Sequence, residues 1–94
     1  MDCAELTFIA HSLTAMINRG IIVDEVTEVV IGGEPIMVYD NDKPYPSKLL
    51  LKFVNSRPEH VVIAQDLETR RCIVITSYLP DPALWDERFE RKIK

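Results

Sequence analysis

Residues 40–53, DNDKPYPSKLLLKF, run from a polar turn bracketed by Pro44 and Pro46 straight into an alternating apolar strand. Prolines on both sides of Tyr45 forbid helix there, and Lys48–Phe53 has the period of two that a strand requires. The stretch divides the chain into a helical first third and a sheet-forming remainder. It also divides the charge. Residues 1–42 hold eight acids and one base (Arg19), a net of −7, whereas residues 43–94 hold ten bases and seven acids, a net of +3. A contact with nucleic acid, if the chain makes one, belongs to the second half.

Upstream, Ile9, Leu13, Met16 and Ile17 fall at i, i+4, i+7 and i+8, which predicts a helix over roughly Ala10–Arg19 with those residues on its buried face. Gly20 stops it as a left-handed C-terminal cap, and Ile21 folds back over the last turn. A second helix is expected over Val23–Ile31, with Val26, Val29 and Val30 inward and Asp24 and Glu25 at its positive end. Gly32-Gly33 ends it. At this length neither helix stands alone in water, so the pair must pack on a sheet.

Downstream, strands are expected at Pro35–Tyr39, Lys48–Val54, Glu59–Gln65 and Cys72–Tyr78. Their connections are short, which favours an antiparallel meander. The expected fold is therefore α+β: an N-terminal helical hairpin on one face of a four-stranded antiparallel sheet. Pro82 is positioned to start a short C-terminal helix through Trp85 and Phe89. Leu6–Ile9 reads as an edge strand or a lead-in, and the basic last residues are expected to fray. Alternation puts Leu49, Leu51, Phe53, Val61, Ile63, Ile73 and Ile75 against the helices. It leaves Lys48, Lys52, His60, Thr76 and Tyr78 on the second face.

Ninety-four residues make one domain. The apolar share of 47% and charged share of 28% are ordinary globular values and argue against disorder. No apolar run reaches the ~18 residues of a membrane span. MDCAELTF at the start lacks the features of a signal peptide, so the cytoplasm is the default compartment and no membrane is expected as partner. Two cysteines, Cys3 and Cys72, suit reduced thiols in that compartment better than a lone disulfide, with Cys72 buried in a strand. Two His and two Cys at unrelated spacings do not compose a zinc site, and glycine-rich phosphate loops are missing. No metal and no cofactor is expected. The net charge of −4 argues against a general nucleic-acid coat protein.

Several pieces belong together. Arg19-Gly20-Ile21 closes the first helix, Tyr39 precedes the acidic turn and Pro44-Tyr45-Pro46-Ser47, and Arg57-Pro58-Glu59-His60-Val61-Val62 follows. Tyr78-Leu79-Pro80-Asp81-Pro82 then leads to Trp85-Asp86. This combination, over roughly His11 to Arg88, resembles the prokaryotic domain-of-unknown-function family numbered 4258. More distantly it resembles BrnT- and RelE-type toxins, which carry helices on one side of a small antiparallel sheet. Such toxins cleave RNA without metal and are silenced by an antitoxin. The resemblance implies an endoribonuclease acting by attack of the 2′-hydroxyl, with RNA as substrate and an antitoxin-like protein as partner. One departure concerns the second helix, where Ile22 stands in place of the usual Ser or Thr cap.

Under that reading His60 and His11 are the candidate general base and acid, since imidazole exchanges protons near neutrality. Arg19 is a candidate phosphate clamp. Lys48, Lys52, Arg57 and Tyr78 would bind substrate, and Tyr39 and Tyr45 could stack on a base. Each has a plain structural alternative: His60 anchoring its turn, His11 and Arg19 serving helix ends, the lysines solubilising a strand. The competing function is a non-catalytic binding or regulatory module, a silenced toxin relative or a homodimer, supported by the net acidity and the lack of a dense catalytic cluster.

Overall fold

The computed structural model describes residues 1–93. Seven elements follow one another: β1 (Glu5–Phe8), α1 (Ala10–Arg19), α2 (Val23–Gly32), β2 (Glu34–Tyr39), β3 (Ser47–Val54), β4 (Arg57–Asp66) and β5 (Arg71–Tyr78). The strands form one sheet in the order β1-β5-β4-β3-β2. From β2 to β5 every pairing is antiparallel, as the short connections demand. β1 instead runs parallel to β5, from Glu5 opposite Arg71 to Phe8 opposite Val74. The α+β class and helical pair are as the sequence predicts, but the sheet is five-stranded and mixed. The whole of α1 to β4 lies between β1 and β5, which supplies the long crossover a parallel pair needs.

Helix ends follow local chemistry. Gly20 is left-handed at φ 67°, and Ile21 N–H returns to the Met16 carbonyl at 2.9 Å. α2 begins at Val23 without a side-chain acceptor at its N-cap, because Ile22 has none. Glu25 compensates by accepting the Ile22 N–H at 3.0 Å, half of a capping box. β3 and β4 meet through Asn55-Ser56, both at positive φ (51° and 68°), the conformation a two-residue hairpin favours.

One apolar core joins both helices to the sheet: Met16, Ile21, Val26, Val29 and Val30 against Leu50, Val54, Val61, Ile63, Cys72 and Val74. α2 buries the three valines expected of it. α1 does not bury its expected stripe. Ser12 and Met16 face the core, whereas Leu13 and Ile9 lie near the surface and Ile17 is 79% exposed. Ser12 is tolerated inside because its hydroxyl donates to the Ile9 carbonyl at 2.7 Å.

The face assignment also needs correction in two strands. Leu50, not Leu49, Leu51 and Phe53, joins the helix-side core from β3, with Lys52 beside it on Glu28 of α2 at 2.9 Å. Leu49, Leu50 and Leu51 are all buried, so hydrophobicity alone could not choose a side. In β5, Cys72 and Val74 face the helices instead of Ile73 and Ile75. A register shift between Val62 and Ile63 then reverses the alternation, so that Tyr78 ends opposite His60 on the other face.

Cys3 and Cys72 form a disulfide, correcting the expectation of free thiols. Pairing of β1 with β5 brings them together, since Ala4 N–H already donates to the Arg70 carbonyl at 2.8 Å. Joining cysteines 69 positions apart restricts the unfolded chain by about 4 kcal/mol in the chain-entropy account. The expectation of free thiols followed from the cytoplasmic default, a compartment in which disulfides are rare. No helix among the described residues is long and apolar enough to cross a membrane.

After β5 the chain crosses the face away from the helices. No helix forms among its described residues. Asp81 caps a single turn, but Asp86 then accepts the N–H groups of Arg88, Glu90 and Arg91, and this competes with helical bonding. Of the basic end expected to fray, Lys94 lies outside the described residues; before it, Ile93 N–H donates to the Leu84 carbonyl at 2.8 Å and Trp85 pairs with Lys92.

Candidate functional site

β4 carries the polar centre of the molecule. His60 is fully buried, on the face covered by the C-terminal strap, with Leu51 and Tyr78 opposite it on the flanking strands. Trp85 and Tyr78 meet its ring edge to face, at centroid distances of 4.5 and 5.3 Å. The Phe89 carbonyl lies 2.7 Å from Nε2 and can only accept, so Nε2 carries the proton. Nδ1 then accepts from the Tyr78 hydroxyl at 3.2 Å. Burial holds His60 below its ordinary pKa and lifts Tyr78 above its own, so a neutral ring and a neutral phenol face each other. Both nitrogens are spent, and the buried Trp85 closes this face over the ring.

The other sequence candidates do not gather around it. His11 is exposed on α1. Arg19, in the last turn of α1, donates to the Ser77 carbonyl at 2.6 Å and the Thr76 hydroxyl at 3.3 Å, covering β5 beyond the end of β1. Lys48 and Lys52 lie on the helix side, the reverse of their expected face, and Lys52 is paired with Glu28. Arg57 is also on that side, 2.9 Å from Glu25 and 3.5 Å from Glu59. Only His60 and Tyr78 come together. Tyr45 is half-buried beside Pro46, and Tyr39 donates to the Met37 sulfur at 3.3 Å.

Sequence reasoning passed over Glu59. It is as buried as His60, yet neither carboxylate oxygen has a hydrogen-bond partner among the described residues. Burial first, then the neighbouring Glu25, push its pKa up to about 7, against the opposing pull of Arg57. Glu25 moves down instead, chiefly because the Ile22 N–H binds its carboxylate. The signal was available: Glu59 shares the parity of Val61 and Ile63, which were placed against the helices. No three His, Cys, Asp or Glu side chains among the described residues are arranged to hold a metal ion.

An open cleft lies elsewhere. A cleft of about 1020 Å³ separates β2 from the strap and is lined by Glu34, Pro35 and Ile36 on one side and Trp85, Phe89 and Arg91 among others on the other. A second hollow, of about 520 Å³, opens at the same end of β2 on the helix side, with Gly33, Pro35, Lys48 and Leu50 in its wall.

A two-helix layer on one face of a mixed sheet, a strap on the other and a sealed polar centre define a small α+β domain. The chain belongs to the family described as Domain of unknown function (DUF4258), whose profile matches residues 8–78. No curated protein and no solved structure matches it significantly.

Proposed function

We propose that this domain acts by binding a partner protein and not by catalysis at its histidine. One observation carries the reading: His60 is fully buried with both ring nitrogens hydrogen-bonded, leaving no proton for a substrate. The spread of Arg19, Lys48, Lys52 and Arg57 over separate positions, three of them in internal bonds, supports it further. His60 then serves as the bolt between β4 and the strap.

The test is incubation of purified protein with RNA in chelator, alongside His60→Ala. Intact RNA in both is the expected result. Cyclic-phosphate ends that vanish in the variant would instead establish the metal-independent endoribonuclease implied by the toxin resemblance.

A further inference from the structure

β2 is the outer strand of the sheet, and no described strand pairs with its second side. The other outer strand, β1, is only four residues long and is tied down by the neighbouring disulfide. Natural edges are usually blunted by lysine, proline, a bulge or a covering segment. Pro35 and the register shift between Pro35 and Met37 blunt the first half of β2. The second half has no such device: Met37 and Val38 are 43% and 53% exposed, and no base lies between Arg19 and Lys43. The unpaired main chain of that half is a template for one more strand.

Hollows on both faces adjoin Pro35, one on the strap side and one on the helix side. A strand laid along β2 sends alternate side chains to opposite faces, so it would have room on each as it passes that end. Charge selects the occupant. Glu34 precedes the strand's apolar run and Asp40 and Asp42 follow it. The strap-side cleft adds Asp86, Glu87 and Glu90 against Arg88 and Arg91. A second copy paired antiparallel about Met37 would set Glu34 opposite Asp40 and Pro35 opposite Tyr39, which is repulsive and short of one donor.

We propose that β2 receives an extended segment of a partner protein in which apolar residues alternate and Lys or Arg stand at both ends. This rests on the binding reading above. It adds the edge, the strand conformation and the charge of the partner.

The probe is a synthetic peptide, Lys-Thr-Ile-Thr-Val-Thr-Lys, with a Glu-flanked twin, titrated into isotope-labelled protein. Saturable amide shifts concentrated at Ile36–Tyr39 are expected from the basic peptide, with the Glu-flanked twin at least about tenfold weaker. Met37→Lys and Val38→Lys, both at exposed positions, should each weaken the basic peptide about tenfold while melting like the parent. No saturable shift by about 1 mM peptide, or shifts away from β2, would overturn the inference. So would concentration-dependent self-association that perturbs the same amides, which would make a second copy the occupant. The RNA assay separates the two levels: a peptide failure with intact RNA removes only this edge, whereas RNA cleavage removes the binding reading itself.

Discussion

Glu59 and His60 are consecutive residues of β4, equally buried, and they point to opposite sides of the sheet. On the strap side the imidazole finds an acceptor, a donor and two aromatic rings. On the helix side the carboxyl finds an arginine at 3.5 Å and another carboxylate, and no hydrogen bond. The first arrangement satisfies a neutral polar group. The second leaves an ionisable group that burial favours in its protonated form. Equal burial thus has opposite energetic sign, because satisfaction and not depth decides what a buried polar group costs.

The sharpest break is His60→Ala. It removes packing against Trp85 and Tyr78 together with both ring bonds, so a loss of roughly 3–4 kcal/mol is expected in urea unfolding. A loss under 1 kcal/mol would mean that the strap contributes little. Next comes Glu59→Leu, which replaces the unsatisfied carboxyl by apolar volume. At pH 8 it should stabilise the fold by about 1–3 kcal/mol, as replacement of buried ionic groups often does. Destabilisation would show that Glu59 is better served than its geometry indicates.

Stability against pH separates the two residues further. Glu59 is raised from 4.5 to about 7, so its contribution is fully present below 4.5 and is lost as pH rises towards 7. His60 is lowered from 6.5, so its contribution is present above 6.5 and is lost as pH falls through its folded value. Glu25, lowered by the Ile22 N–H, has the same sign as His60. Facing Glu59 are Glu25 from α2, Lys52 from β3, itself paired with Glu28, and Arg57 from its own strand. In thermal melts between pH 4.5 and 7, Glu59→Leu should gain stability relative to the parent as pH rises, and His60→Phe should lose it relative to the parent. Arg57→Gln removes the cation 3.5 Å from Glu59 and should raise that carboxyl's titration midpoint further, followed by carbon-detected NMR. The smallest effect belongs to Ile17→Lys on α1, within about 0.5 kcal/mol of the parent, because the side chain is 79% exposed. A larger loss would restore the face first expected of that helix.

Element positions were largely legible in the sequence. α1 spans the predicted residues, α2 extends one residue further, and the four antiparallel strands sit within two residues of expectation, since each rests on a local signal such as Gly20, Gly33 or Asn55-Ser56. Facing was less legible. The run Leu49-Leu50-Leu51 is buried on both sides, and a single shift in β5 reverses parity without any residue that announces it. α1 lies so that Ser12, not Leu13, is inward, which depends on tertiary packing. The candidate site suffered most from this. Lys48 and Lys52 were placed beside His60 by parity counted from the wrong leucines, and the Phe89 carbonyl that engages His60 comes from 29 residues away.

The disulfide also gives the chain a covalent shape of its own. Residues 3 to 72 become a closed ring, and most of β5 with the strap becomes a tail attached at one point. A protease cut inside the ring leaves one molecule on a non-reducing gel, whereas a cut in the tail releases a fragment. The segment that seals His60 therefore lies wholly in the part of the chain that no crosslink retains, so its hold on the sheet is noncovalent throughout.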